Sequence, residues 1–444
     1  MRRFKLLLLF FVLVYGQHFF AQRNQPEWAK NATIYEVNIR QYTKEGTFKA
    51  FAEHLPRLKE MGVDILWLMP IHPIGVKNRK GELGSYYAVR DYKGINPEFG
   101  TAKDFRRLVK QIHDLDMKII LDWVANHSSP DNVWLDQCRQ HWYTLDSAGY
   151  LQPTLGTDWW DVADLNYNNP EMRKEMINSL SFWVKEFDVD GFRCDVADYV
   201  PTDFWVDARK ELDQIKPVFM LAEAENPAHH DFAFEMSYAW EFHHIMNGLA
   251  NGEKSLRDVH EYFRNNRFKP SDFRMQFTSN HDENSWNGTE HERYGDQGLM
   301  YAALAATIEG MPLIYSGQEA DFNRRLKFFD KDEIDWGDFA LVPFYTKLFQ
   351  LNKNNQALWN GEHGGQVRFE SSSDDPNVLV FVREKNGNKV VGLFNFSSEP
   401  QEYIVTKAFT TGKYKSLLED DQSVTIERAQ ILSLKPYEFQ IYYK

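Results

Sequence analysis

The chain has 444 residues, a net charge of −13 and 15% aromatic side chains. No basic stretch is concentrated enough to neutralise phosphates, which excludes a nucleic-acid partner, whereas a neutral substrate is indifferent to this charge. Cys138 and Cys194 are its two cysteines, so one disulfide is conceivable in an oxidising compartment, but Cys194 falls on a predicted strand beside Asp195, which argues against it.

Arg2, Arg3 and Lys5 precede a short apolar run, Leu6 to Tyr15. The run is too short to span a bilayer and reads as a signal peptide over residues 1–21, with cleavage near Ala21. The mature chain is expected to be exported, periplasmic or secreted, with no membrane span. Strand and helix signals then alternate. Thr33 to Ile39 reads as a strand, and Phe48, Phe51, Leu55, Leu58 and Met61 recur at helical spacing. Val63 to Met69 is a near-continuous apolar run, as expected for a parallel strand buried on both faces. Thr101 and Asp104 form a capping box before the stripe Phe105, Leu108, Val109, Ile112 and Leu115. Met117 to Trp123 is the third strand. Further strands are expected at 188–195, 217–223, 275–280 and 312–315, with a weaker one near Tyr238 to Phe242.

Eight β/α units favour an α/β fold, a (β/α)8 TIM barrel, over an open sheet. One connection is too long, because Asp122 and Asp195 are 73 residues apart. The excess, residues 127–168, reads as a small inserted domain after strand three, leaving 22–126 and 169–356 for the barrel. From 357 to 444 short strands and the turn signal Asn386-Gly387 indicate a C-terminal antiparallel β-sandwich domain.

Barrel active sites lie at the carboxyl ends of the strands. Four such ends carry polar groups: DWVANH (Asp122 to His127), FRCD (Phe192 to Asp195), LAEAE (Leu221 to Glu225) and SNHD (Ser279 to Asp282). Arg193 and Asp195 share one face of a strand, and the guanidinium favours an ionised Asp195. Asp195 and Glu223 are 28 residues apart, one β/α unit, so they should sit on adjacent strands. Adjacent tips can place two carboxyls about 5–5.5 Å apart, the spacing of a retaining glycosidase. Glu225 competes with Glu223 but lies beyond the strand tip.

At this point the chain resembles the α-amylase family of glycoside hydrolases (family 13) over nearly its whole mature length. DWVANH, GFRCDVAD, the Glu of LAEAE and SNHD match the family's four main motifs in order, and ADLN (Ala163 to Asn166) resembles its fifth. GMPLIYSGQE, YYAVRDY and INPEFGT match further segments. The resemblance implies that Asp195 is the nucleophile, Glu223 the acid and then base, and Asp282 the stabiliser of the oxocarbenium-like state. It also implies that Arg193, His127, His281, Tyr87, Asp122 and Asp91 bind or support the sugar. No cofactor is required for the chemistry; calcium is carried as an option, with Asn126 at a position that is often a ligand. Asp198-Tyr199 replace a Lys-His pair common in α-amylases, and Val196 and Asp164 resemble members that cut α-1,6 links. Trp123, Trp159, Trp160 and Trp183 read as core or domain contacts. The expected function is an exported, monomeric, endo-acting α-1,4-glucan hydrolase on starch or maltooligosaccharides. The alternatives are an oligo-α-glucosidase or transglycosylase, and a non-catalytic glucan-binding protein.

Overall fold

The computed structural model describes residues 25–137, 139–419 and 421–444. The expected signal peptide and Cys138 lie outside the described residues. Eight strands close into a parallel barrel in sequence order: Ile34–Val37 (β1), Ile65–Leu68 (β2), Lys118–Trp123 (β3), Gly191–Cys194 (β4), Phe219–Ala222 (β5), Met236–Tyr238 (β6), Phe273–Gln276 (β7) and Met311–Tyr315 (β8). β8 closes on β1 with Ile34 opposite Leu313.

The two-residue period of each strand divides its side chains between two cores. One parity fills the barrel: Ile34, Ile65 and Trp67, Ile120, Phe219 and Leu221, Met236 and Tyr238, Phe273 and Met275, Met311 and Leu313 form one cluster. The other parity, including Leu66, Leu68, Ile119, Leu121 and Met220, packs against the helices. Continuing the inward parity towards the carboxyl ends reaches Glu36, Asp122, Arg193, Asp195 and Glu223. The interior is therefore apolar below and ionic above, which positions the site. Gly191 has φ 158°, and a Cβ there would lie 1.9 Å from the Phe219 carbonyl oxygen. Only glycine lets β4 approach β5 so closely beneath Asp195 and Glu223.

Three sequence expectations shift. The stripe from Phe48 to Met61 is two helices, Phe48–Ala52 and Leu55–Met61. Pro56, in the first turn of the second, cannot donate to the turn before it and splits the run while all five apolar residues stay buried. The sixth strand is Met236–Tyr238, and Phe242 instead belongs to the helix Trp240–Ala250. Phe242, Ile245 and Met246 are buried there at helical spacing. Strand β7 ends at Gln276, so Asn280 stands on the loop beyond it and His281 and Asp282 open the helical turn that continues through Glu283–Asn287. The capping box at Thr101 and Asp104 forms as expected.

The inserted segment opens and closes on one short ladder, with His127–Ser128 antiparallel to Ala163–Asp164. The C-terminal domain has a six-stranded antiparallel sheet and a two-stranded one, Gln401–Ile404 with Ile431–Leu434. Val378, Val380, Val382, Val391 and Leu393 on the larger sheet and Tyr403, Leu432 and Leu434 on the smaller form the core between them. The opposite face of the larger sheet (Leu379, Phe381, Val390, Phe394) joins the main core against the barrel helices. Asn386 and Gly387, at φ 48° and 87°, make the expected tight turn between Lys385 and Asn388.

Candidate active site

Strands β4 and β5 pair with Cys194 opposite Ala222, so the next residues, Asp195 and Glu223, face each other one step on. Glu223 N donates to the Cys194 carbonyl at 3.0 Å and extends the ladder to this point. Arg193, fully buried, divides its guanidinium among three carboxylates. Nη1 lies 2.9 Å from Asp122 Oδ1 and 3.0 Å from Asp195 Oδ1, and Nη2 lies 2.9 Å from Glu223 Oε2. Its Nε donates to Tyr238 Oη at 3.1 Å, and its Cζ lies 5.1 Å from the centre of the Trp67 ring. A planar fork can serve several acceptors in fixed directions, which an ammonium cannot.

Val196 follows Asp195 with φ 36° and ψ 50°, a left-handed conformation that a β-branched residue rarely adopts. The strain has a visible use, since Val196 N donates to Glu223 Oε2 at 2.8 Å. Burial pushes the Asp195 carboxyl well up, and the charge of Glu223 adds to that rise against the pull of Arg193. Burial likewise raises Glu223, which Arg193 opposes and Asp282 reinforces. Two facing carboxyls on one cation influence each other, so their titration belongs to the pair rather than to either residue. Arg193 lowers Asp195 as expected, but its guanidinium is shared with Asp122 and Glu223, and Glu223 also receives an amide donor from Val196.

Asp282 sits beside His281. Burial alone would lower this imidazole, but the carboxylates of Asp282 and Glu36 outweigh it and push it up to about 9. His281 Nδ1 donates to Glu36 Oε1 at 2.5 Å, while Nε2 lies 2.7 Å from Tyr87 Oη and 3.3 Å from Asp282 Oδ2. The raised value means that this cation's contribution to stability is full below pH ~6.5, its ordinary value. It is lost as pH rises through about 9. His127 behaves oppositely: burial pushes it down to about 3, so it is neutral. Its Nδ1 accepts from Asn126 Nδ2 at 3.1 Å, which puts the ring proton on Nε2.

These groups line a cavity of about 500 Å³ that contains Tyr87, His127, Asp195, Glu223, His281 and Asp282 together. Arg193 and Asp122, expected among the substrate-binding residues, are 0% exposed and stand behind the carboxylates. Asp122 also accepts from Tyr87 Oη at 3.0 Å and Trp67 Nε1 at 3.1 Å, so both hold other groups in place. Asp91 is not brought to the cavity. Its carboxylate accepts from Lys93 N at 2.9 Å and closes its own turn. Glu225 turns away to Arg274 and the Glu241 amide, which removes it as a rival to Glu223. Trp123 and Trp183 are core as expected. Trp159 and Trp160 instead line the cavity, Trp160 at 59% exposure, because the inserted segment carries them over the barrel mouth.

Calcium takes about six to eight oxygen ligands. Asn126 Nδ2 donates to Thr154 Oγ1 at 2.8 Å, and Thr154 and Thr144 donate to the two oxygens of Asp164 at 3.2 and 2.7 Å. Asp164 thus already has a donor on each oxygen, and among the described residues no three His, Cys, Asp or Glu side chains cluster as a metal site. At this point of the inserted segment, Asn126, Thr154 and Asp164 are thus engaged with one another. A chelator is expected to leave melting temperature and rate unchanged; a loss of either that added calcium restores would overturn this.

Comparison with known proteins now decides the family, because the alpha-amylase catalytic-domain model matches residues 14–336. The chain belongs to the alpha-amylase family of glycoside hydrolases. A model of the maltogenic amylase C-terminal domain matches residues 368–441. Two solved structures superpose with a TM-score of 0.83 at 30% identity, each over 94% of this chain and 99% of its own: an alpha-amylase from Lactobacillus plantarum and a maltogenic alpha-amylase from Thermotoga neapolitana. The alpha-amylase MalA of Haloarcula japonica is 26% identical over 91% of this chain, which spans 62% of that relative's length.

Glu36, Trp67 and Tyr238 beneath the cavity, and Lys80, Asp161, Trp286 and Phe329 on its lining, escaped the sequence reading. Glu36 carried a legible signal, a lone acid at inward parity within TIYEVNI. Trp67 and Tyr238 carried none, since an inward aromatic on a barrel strand reads as core.

Proposed function

We propose that the chain hydrolyses α-1,4-glucosidic bonds of starch-type glucans or maltooligosaccharides, with retention of configuration. The observation that carries this is the facing pair Asp195 and Glu223 on one guanidinium inside a cavity. Asp195 attacks the anomeric carbon and forms a glycosyl ester while Glu223 gives its proton to the leaving oxygen. Glu223 then takes a proton from water, which hydrolyses the ester. Burial raises both carboxyls, which favours keeping at the site the proton that this chemistry moves. Asp282, its carboxylate beside the cationic His281, stabilises the positive charge that develops on the sugar. The cations on the lining, Lys80 and His281, are each paired with carboxylates, at Asp161 and at Glu36 and Asp282. That arrangement suits a neutral sugar better than a phosphorylated one.

Val196 lines the cavity beside Glu223, and this position keeps α-1,6 cleavage of short oligosaccharides as a second reading. The decisive experiment follows maltopentaose and amylose with the purified chain, by reducing-end release and proton NMR of the first product. Release of the α-anomer first is the expected result. The β-anomer first would overturn retention, and cleavage of isomaltose or panose alone would favour the second reading. No release from any α-glucan would overturn the function.

A further inference from the structure

Three separate segments meet at one end of the cavity: the loop after β2, the inserted domain and the loop after β8. Lys80 Nζ lies 3.0 Å from Asp161 Oδ1, with the two side chains 16% and 5% exposed. The same ammonium lies 4.3 Å from the centre of the Trp160 ring and 5.9 Å from that of Phe329. Backbone ties repeat the connection. Asn78 Nδ2 donates to the Trp160 carbonyl at 3.2 Å, Leu83 N to the Phe329 carbonyl at 2.9 Å, and Glu82 N to Asp330 Oδ1 at 2.8 Å. A largely buried ion pair is weak evidence for stability, because desolvation offsets its Coulomb gain. A cation between two aromatic faces and a carboxylate does, however, fix where those groups stand.

The position of this assembly relative to the chemistry gives it a role. Phe329 packs against Trp286 with ring centres 5.8 Å apart, and Trp286 Nε1 donates to Asp282 Oδ1 at 3.2 Å. The assembly therefore stands on the Asp282 side. Glu223 accepts from Val196 N, and beyond Val196 exposed Tyr199 approaches Trp159 with ring centres 6.5 Å apart. An acid at Glu223 protonates the departing sugar, so that sugar leaves past Val196 and Tyr199. The retained sugars extend towards Lys80.

We infer that Lys80, Asp161, Trp160 and Phe329 form an end wall, so that the enzyme accepts the non-reducing end of a neutral α-glucan and cuts a short, fixed distance from it. This rests on the α-glucan hydrolase reading and replaces internal cutting with cutting from a chain end. The cavity holds about 500 Å³, within the range of small-ligand clefts and cavities, and these four residues lie on its lining. The pairing of Lys80 with Asp161 leaves the wall without net charge, as a neutral sugar end requires.

The test uses the full chain with maltooligosaccharides labelled at the reducing end, and with amylose. The wild type should release products of one short length while long amylose chains persist. Lys80→Ala should open the wall: longer products appear, and the ratio of internal to terminal cuts rises at least about tenfold, the equivalent of losing ~1.4 kcal/mol of discrimination. Lys80→Arg should keep the wild-type pattern, since it preserves the ion pair. If Lys80→Ala fails to fold, Asn78→Ala, which loosens the same contact from the other side, should shift the pattern in the same direction. Internal cutting of amylose by the wild type, or an unchanged pattern in a folded, active Lys80→Ala, would overturn the wall while leaving hydrolysis intact. Failure of every α-glucan would instead overturn the function on which it rests.

Discussion

Asp195→Asn is expected to lower kcat by a factor on the order of 10⁴ or more without lowering the melting temperature. Asparagine keeps the shape of the side chain and an oxygen for Arg193 Nη1, so the packing of the strand tip is retained. What it lacks is the negative oxygen that forms the ester. Stability should hold or rise slightly, because Asp122, Asp195 and Glu223 compete for one buried guanidinium. Removing one of three like charges relieves repulsion that the active enzyme tolerates. Glu223→Gln should cost about 10²–10⁴ in kcat on natural glucans, the usual worth of a general acid. That loss should shrink on a substrate whose leaving group is a weak base, such as a nitrophenyl glycoside, because such a group needs no proton. For Asp195→Asn the loss should be equally severe on both substrates. Equal losses in both variants, or near-normal turnover in either, would overturn the assignment of roles. Steady-state kinetics on the two substrates, with melting curves alongside, make the measurement.

Arg193→Met is expected to destabilise the fold by about 3–5 kcal/mol at neutral pH and to abolish activity. The methionine fills much of the volume but leaves Asp122, Asp195 and Glu223 facing one another in a buried site with no shared cation. All three are already raised by burial, and Arg193 opposes that rise in each. Without it their folded values climb further above the ordinary carboxyl value of about 4. For groups raised on folding, the stability contribution is full below the unfolded value and is lost as pH rises through the folded one. The deficit of the variant relative to the wild type should therefore be small near pH 4–5 and grow towards pH 8. Melting temperatures of both proteins across that range decide it; a deficit independent of pH would mean that Arg193 acts by packing alone. Arg193→Lys should fall between the two, because one ammonium cannot reach three carboxylates in three directions.

The sequence carried the barrel because its signals are local and repeated. A run such as ILWL in β2, buried at every position, can only be a strand covered on both faces. Alternation with helical stripes then admits few topologies. The same local logic placed Asp195 and Glu223 on neighbouring tips, since one β/α unit separates them and right-handed crossover sets the next strand alongside. It failed where neighbouring apolar residues fit either periodicity, as at Tyr238 to Phe242, and where proline interrupts a stripe, as at Pro56.

What the sequence by itself determined is the fold class, the family and which two carboxyls meet on neighbouring strand tips, because each follows from short-range pattern and order along the chain. Tertiary structure alone decided how those groups are held and where the cavity stops. Glu36 becomes the partner of His281 across 245 positions of chain, and Lys80 meets Asp161 only because the loop after β2 and the inserted segment converge over the barrel mouth. No periodicity encodes such meetings. They depend on loop paths fixed by packing among segments far apart in sequence, and those paths also set the charge state of the carboxyl pair, since burial and shared counter-ions are properties of the assembled site.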